Sequence, residues 1–399
     1  MYAINLYNVI TIYKYKLHSE EVFAMKKNLA LIFATLFVLA VFLSACGSVA
    51  IGPNGDAMTQ AERDAFDYEI LVKSVTHGED YVIEWQDRGM EVAIRQLLEK
   101  PEGDILHSDV WDIHTLNIGC TSSEETGYVL ASADLSRPLE PATYTKSILN
   151  SVTYELTDDV PWIRTLADLV HFDGLQKLSI GDNSMTTQGA LFTLDISGLG
   201  QCRNLEILSI YQLKLTALED IAACTGLRVL ELGQIECGSL EPLSTLRNLE
   251  RLSLHHIASV DLMPLVNLSV LETIIINDCE VNSLDPLSEI PGLKALALND
   301  GTTFPSLEPL TQTQLEYLSM DCWQVGLKTD LYDNLDYAPL SRIPTLIYLD
   351  LTNHRKVDAS LCTAILENAP NIKYLRLDQT AAAHELDEPE GLIFYGNNL

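Results

Sequence analysis

One short apolar motif recurs at a fixed interval and constrains the fold more than any other feature of the chain. It reads L-x-x-L-x-L, with Ile or Met allowed, and six consecutive copies from Leu205 to Leu315 begin 22 residues apart. A second motif, L-x-P-L, recurs in phase with the first between Leu240 and Leu307. Two motifs that keep a constant phase over this length predict one structural unit repeated along the chain.

The motif itself indicates how each unit folds. Copies of it begin at Leu175, Leu205, Leu227, Leu249, Leu271, Leu293, Leu315, Leu346 and Ile372. Its last apolar residues alternate with outward-facing ones as in a short β-strand, so they point into a core. The proline of the second motif lacks an amide donor and turns the chain back. Since one unit cannot bury its leucines alone, stacked units are required. The pattern predicts an α/β repeat solenoid: an arc with a parallel β-sheet on its concave face.

These motifs resemble the leucine-rich repeats of the internalin-like bacterial class, which also have 22 residues, and the resemblance spans roughly residues 80–380. It implies a helical N-terminal cap at 80–112 and a leucine-rich repeat domain at 113–380. The irregular stretch 120–165 is expected to be an insertion, and 381–399 a C-terminal cap or tail.

One position departs from the family pattern. The family places Asn at the ninth position of each repeat, and only Asn183 keeps it here. The replacements are Leu213, Ile235, Ile257, Cys279, Gly301 and Trp323. We therefore expect apolar packing to hold the turns together.

The N-terminal region contains a secretion signal. Lys26 and Lys27 precede a 15-residue apolar run that ends at Leu43, which is short for a membrane-spanning helix of about 20 residues. The following Ser-Ala-Cys step, ending at Cys46, resembles the lipobox of bacterial lipoproteins. The resemblance implies lipidation of Cys46 and an extracytoplasmic protein anchored to the bacterial cell membrane. The alternative is an uncleaved signal anchor.

The same resemblance divides the first 79 residues into three parts. Lipoprotein signals begin at their own methionine, which here is Met25, so 1–24 is expected to be a mis-assigned start. Residues 25–45 are then the signal peptide, and 46–79 form a tether and N-terminal segment.

The net charge of the chain indicates which classes of partner it would attract or repel. With 25 basic and 56 acidic residues, the chain has a formal net charge of −31. Such a surface repels phosphate backbones, which argues against nucleic-acid binding. It favours cationic proteins or peptides, although the charge could equally serve solubility alone.

The sequence contains only weak indications of a catalytic or metal-binding site. Phosphate-binding, metalloprotease and serine-hydrolase motifs are absent, and we expect neither a cofactor nor a metal. His255 and His256 are adjacent but should diverge on a strand. Stacked carboxylates at Asp278, Asp300 and Asp321 are compatible with a calcium site or, more simply, with a solvated acidic ridge.

The cysteines and the insertion leave further alternatives. Cys202 and Cys224 occupy one slot on adjacent repeats, as buried thiols or as a disulfide. The insertion at 120–165, which contains Trp162, could instead hold the site of a carbohydrate-processing or other envelope enzyme or accessory protein.

The outward positions of the sheet indicate a binding surface. The third motif position is tyrosine in the last three repeats, at Tyr317, Tyr348 and Tyr374. Stacked tyrosines offer the rigid amphipathic area that protein interfaces favour. The other candidate partner-binding residues are Asp321, Asp350, Arg376 and Trp323, the last in an aromatic loop at 323–338. We therefore predict a non-enzymatic domain that binds a protein or peptide. Alternatively, the tyrosines pack on one another and on the C-terminal segment. An exposed apolar strip is also expected at Ile275, Ala295 and Ala297.

Overall fold

A computed structural model describes residues 76–122, 127–133, 150–157, 161–182, 192–215, 218–235, 239–322, 332–384 and 393–395. Its strands are β1 (Thr115–Ser122), β2 (Gly127–Ala133), β3 (Asn150–Glu155), β4 (Lys177–Asp182), β5 (Phe192–Leu194), β6 (Ile207–Tyr211), β7 (Leu213–Leu215), β8 (Val229–Gly233), β9 (Arg251–His255), β10 (Thr273–Asn277), β11 (Ala295–Asn299), β12 (Tyr317–Ser319), β13 (Tyr348–Asp350), β14 (Tyr374–Arg376) and β15 (Ile393–Tyr395). Its α-helices are α1 (Arg88–Leu97), α2 (Glu219–Ala222) and α3 (Ala359–Asn368). No helix in these described ranges is both long enough and apolar enough to span a bilayer.

One sheet of 13 strands organises the described chain. Its order is β15-β14-β13-β12-β11-β10-β9-β8-β6-β4-β1-β2-β3, and the strands from β15 to β1 pair in parallel. Leu230 lies beside Leu252, which lies beside Ile274, and all three side chains are fully buried. Each repeat therefore adds one rung, meaning one strand with its return turn. The predicted leucine-rich repeat solenoid is confirmed.

Short 3-10 turns return the chain from each strand to the next. Those that carry the L-x-P-L motif span Glu241–Thr245, Met263–Leu265, Asp285–Glu289 and Glu308–Gln312. Proline occupies the start of each turn. A backbone amide at this position has no acceptor within the turn, so proline, which lacks that amide, loses no hydrogen bond there. Turns of neighbouring rungs pack on one another, so the leucines lie between a layer of strands and a layer of turns.

The bend after each strand is held by more than apolar packing. Leu213, Ile235 and Ile257 are buried at the ninth position, as expected. However, Cys279 accepts a hydrogen bond at Sγ from the Ile257 amide (3.3 Å), and the equivalent His354 is buried and hydrogen-bonded to the Met320 carbonyl oxygen. Hydrogen-bonding side chains thus replace asparagine on some rungs. The backbone just before is left-handed at Gln212, Gln234, His256, Asp278, Asp300, Asn353 and Gln379.

The N-terminal helix α1 is fixed to the first rungs by a buried carboxylate. Asp87 Oδ1 accepts a hydrogen bond from the Met90 amide (2.9 Å), which caps the helix. Its Oδ2 accepts from the amides of Arg164 (2.8 Å) and Thr165 (3.0 Å). One side chain therefore both starts the helix and joins it to the repeat array.

The described part of the insertion extends the sheet. Strand β2 pairs antiparallel with β1, and β3 pairs antiparallel with β2 at the edge of the sheet. Trp162, the aromatic residue that drew attention to this stretch, is buried in the apolar core.

Candidate functional site

The three tyrosines form a continuous column across neighbouring strands. Tyr317 pairs in register with Tyr348, and Tyr348 with Tyr374. The rings of Tyr317 and Tyr348 are stacked, with centroids 4.2 Å apart and planes 7° apart. The rings of Tyr348 and Tyr374 are tilted by 34°, with centroids 6.3 Å apart. We call these three residues the tyrosine column.

Much of the tyrosine column is buried. Tyr317 is 8% exposed and Tyr348 1% exposed, because the stacked rings cover each other and pack beside Ala295. Tyr374 is half-buried, and its strand pairs with the C-terminal strand β15. The expectation that all three rings are exposed is therefore wrong for Tyr317 and Tyr348. Of the three, Tyr374 alone offers an accessible ring. The partner-binding role stays a prediction.

The expected apolar strip is also not exposed. Ala295 and Ala297 are buried, and Ile275 is half-buried. Small side chains at these outward positions lie below the level of their larger neighbours, so an apolar residue at an outward position does not by itself form a patch.

A group of carboxylates adjoins the tyrosine column. Asp350, 3% exposed, accepts hydrogen bonds from the Thr352 amide (2.9 Å) and the Tyr348 hydroxyl (3.4 Å). Arg376 lies 3.6 Å from Asp350 and 3.9 Å from Asp378. Together with Asp321, these residues form what we call the carboxylate corner: Asp321, Asp350, Thr352, Arg376 and Asp378.

Asp321 is the electrostatically unusual member of the carboxylate corner. Burial, together with the negative charges of Asp350 and Asp300, raises the pKa of Asp321 to about 8, against the opposing effect of Arg376. A carboxyl group in these surroundings holds its proton at neutral pH.

The candidate loop at 323–338 is described from Tyr332 onward, and Trp323 lies outside the described residues. Tyr332 donates a hydrogen bond to the Thr302 carbonyl oxygen (2.6 Å), and its ring stacks on His354 with centroids 4.6 Å apart. The Tyr337 hydroxyl lies 2.7 Å from His354 Nδ1. Burial lowers the pKa of His354 to about 4, so the imidazole is neutral and ties this part of the loop to the array.

The remaining candidates have structural partners. His255 lies 3.0 Å from the Asn277 amide, whereas His256 pairs with Asp278 at 2.9 Å, so the two rings diverge. Cys202 and Cys224 are buried free thiols, and burial raises the pKa of each to about 12. Within the described ranges, no three His, Cys, Asp or Glu side chains are arranged to hold a metal ion.

Sequence reasoning missed a cluster of histidines and aromatics at the N-terminal end. His77 Nε2 lies 2.9 Å from Asp112 and its Nδ1 3.4 Å from Asp173, while its ring stacks on Trp111. His107 Nε2 lies 3.3 Å from the same oxygen of Asp173. The indication of this cluster that the sequence did offer is the high frequency of His and Trp between residues 77 and 114.

Solved leucine-rich repeat structures resemble this chain. An internalin (InlF) from Listeria monocytogenes is 17% identical with a TM-score of 0.45, over 74% of this chain and 82% of that one. An internalin C2 (InlC2) from the same organism is 18% identical with a TM-score of 0.33, over 60% and 85%. The plant peptide hormone receptor RGFR1, in complex with RGF2, is 13% identical with a TM-score of 0.28, over 56% and 47%. No family model and no curated protein sequence matches.

The 22-residue strand spacing and the parallel sheet give this chain the internalin-like leucine-rich repeat fold that the sequence predicted.

Proposed function

We propose that this chain is a lipid-anchored cell-surface protein whose leucine-rich repeat domain binds a protein or peptide partner. The contact surface is the outward face of the sheet around the tyrosine column, together with the adjacent loop 323–338. The observation that carries the proposal is the half-buried Tyr374 ring at the end of the column, in register with the two buried tyrosines and beside half-buried charged side chains. Aromatic and arginine side chains are the groups that dominate binding energy at protein interfaces.

The partner is expected to be cationic and the role non-catalytic. A net charge of −31 attracts basic surfaces over several ångströms and speeds their encounter. The carboxylate corner supplies a local surplus of acidic groups next to the column. A rigid sheet with pre-positioned rings loses little conformational entropy on binding.

Anchoring rests on the lipobox-like stretch that ends at Cys46. Intact mass spectrometry of the protein from its native membrane tests this: a diacylglyceryl modification on a chain that begins at Cys46 is expected. Replacement of Cys46 by Ala should leave an unlipidated chain. An unmodified chain with residues 1–45 still attached would contradict the anchor.

Binding is tested with matched variants of the detergent-solubilised protein. Tyr317, Tyr348 and Tyr374 are replaced together by Phe in one variant, and Tyr374 alone by Ala in another. Partner recovery from the host envelope should fall at least tenfold for Tyr374→Ala, because the accessible ring is lost. The matched control is Met263→Ala, at an exposed side chain on a return turn. Equal recovery by a folded Tyr374→Ala variant and the control would contradict the proposed surface.

A further inference from the structure

The carboxylate corner has the chemistry to receive a positively charged group from outside. It places Asp321, Asp350 and Asp378 around the guanidinium of Arg376. Resting on the proposed partner binding, we propose that the carboxylate corner takes a lysine or arginine side chain of the partner, and that the proton held by Asp321 is released to solvent as this side chain enters.

Two buried side-chain oxygen atoms in the carboxylate corner have no hydrogen-bond partner among the described residues. Asp321 Oδ1 is buried and accepts no hydrogen bond. The Oγ1 atom of Thr352, a residue that is 1% exposed, also has no hydrogen-bond partner among the described residues. The ladder bonds from the Met320 amide to the Asp350 carbonyl (2.9 Å) and from the Cys322 amide to the Thr352 carbonyl (3.2 Å) place Asp321 beside Thr352. A buried polar atom without a partner is unfavourable by roughly 1–3 kcal/mol, so a donor supplied by a ligand is favoured here.

The donor that best fits these acceptors is an organic cation. An ammonium group offers three N–H donors and a guanidinium five, and both carry the charge that the surrounding carboxylates favour. A metal ion fits less well, since no three His, Cys, Asp or Glu side chains of the described residues are arranged to hold one. The corner is therefore suited to a basic side chain.

The route into the carboxylate corner runs over its half-buried members. Asp321, Arg376 and Asp378 form an accessible rim, whereas Thr352 and Asp350 form the floor. The aliphatic stem of an incoming Lys or Arg would lie over this rim while its charged end reaches Asp321.

Proton release follows from the groups that face Asp321. Asp350 and Asp300 disfavour its ionisation, whereas Arg376 and, more weakly, Asn353 favour it. With its pKa near 8, Asp321 is un-ionised at neutral pH. A cation that enters stabilises the carboxylate, so Asp321 loses its proton and forms the new ion pair. Below that pKa, affinity for the cation rises about tenfold per pH unit if one proton is released.

The test uses acetyl-Gly-Arg-Gly-amide as the probe and the same peptide with citrulline as the uncharged control. Affinity is measured by NMR titration of the full protein at pH 6, 7 and 8. We expect the arginine peptide to bind about tenfold more tightly at pH 7 than at pH 6 and about fivefold more tightly at pH 8 than at pH 7, with perturbed signals at Arg376, and the citrulline peptide to bind at least tenfold more weakly at pH 8. Equal affinities at all three pH values, equal binding of both peptides, or no binding would overturn the proposal.

Two variants separate this proposal from a general attraction to an acidic protein. Asp321→Asn replaces an un-ionised carboxyl with a group of the same shape, so the fold is expected to persist, and it should abolish the pH dependence. Asp285→Asn, at an exposed carboxylate on a return turn, should retain it. If Asp321→Asn behaves like Asp285→Asn, the proton-release proposal is wrong. The proposed partner binding would then still depend on the separate Tyr374→Ala experiment.

Discussion

The regular rungs and the N-terminal end of this protein are held together by different forces. Between residues 205 and 320, the same leucine slots are buried on every rung, and neighbouring strands repeat one register. At the N-terminal end, buried Asp168 accepts hydrogen bonds from the amides of Gln86 and Asp87, both at 2.8 Å, and Asp87 in turn binds Arg164 and Thr165. We call this contact the cap joint.

The difference follows from what each region must satisfy. A rung inside the array finds partners for its backbone amides in the strands on both sides. Where the regular pattern ends, amides leave the ladder, and each buried one must find another acceptor. Aspartate side chains provide those acceptors in the cap joint. Burial raises the pKa of Asp168 there, opposed by the two amides that donate to it. Apolar periodicity therefore builds the array, and specific polar contacts attach its end.

The largest effect is expected at the cap joint. Asp87→Ala should lower the free energy of unfolding by about 4 kcal/mol, because the buried Met90 amide and the part-buried amides of Arg164 and Thr165 lose a charged acceptor. Chemical denaturation measures the loss, and hydrogen exchange should show α1 unprotected before the strands. Asp87→Asn is the matched control, since it keeps one cap acceptor and should be less disruptive. If Asp87→Ala changed unfolding by less than about 1 kcal/mol, polar contacts would not be what attaches the cap.

The next effect concerns the regular rungs. Leu252→Ala should lower the free energy of unfolding by about 3 kcal/mol. The Leu252 side chain is fully buried between the neighbouring rungs on its two sides, so shortening it leaves a cavity. Val270→Ala, at an exposed apolar side chain of the next rung, should cost less than about 0.5 kcal/mol. Denaturant unfolding of both variants makes the comparison. Similar losses would mean that the leucine slots do not form the common core.

A smaller effect is expected from His354, a polar residue within the array. Its pKa is lowered to about 4 by burial, against an ordinary value near 6.5, so the folded state excludes a proton that the unfolded chain binds. Its contribution is complete above pH 6.5 and is lost as the pH falls from 6.5 through 4, by roughly 2–3 kcal/mol. His354→Gln should flatten this part of the pH–stability profile. A variant whose profile stays parallel to that of the native protein would contradict the assignment.

The sequence predicted the array well because its information is periodic. Leu230, Leu252 and Ile274 could be placed side by side from spacing alone, and the third motif position placed the three tyrosines in one column. Their mutual burial was one of two alternatives that the sequence left open, since it depends on how closely stacked rings cover each other. Asp321 and Asp350 were named as candidates, but their mutual effect on ionisation depends on the distance between strands.

The N-terminal end of the protein shows which contacts the sequence could not predict. His77 and Asp173 are separated by 96 residues, and nothing in their local sequence indicates that they meet. Asp87 was not singled out, although an acidic residue before an apolar helical face is a recognised start signal. Polar contacts that join distant segments carry no period, so a reading based on repeats overlooks them.

The most direct test of the repeat architecture is the distance between spin labels placed at one exposed slot on rungs one, three and four repeats apart. Pairs are made between Glu308 and each of Asp285, Glu241 and Glu219, which share the second position of the return-turn motif. Double electron–electron resonance should give distances that increase from the first pair to the third, by at least about 4.8 Å for each rung crossed. Distances that fail to increase with the number of repeats would contradict the claim that every 22 residues add one rung to a single sheet.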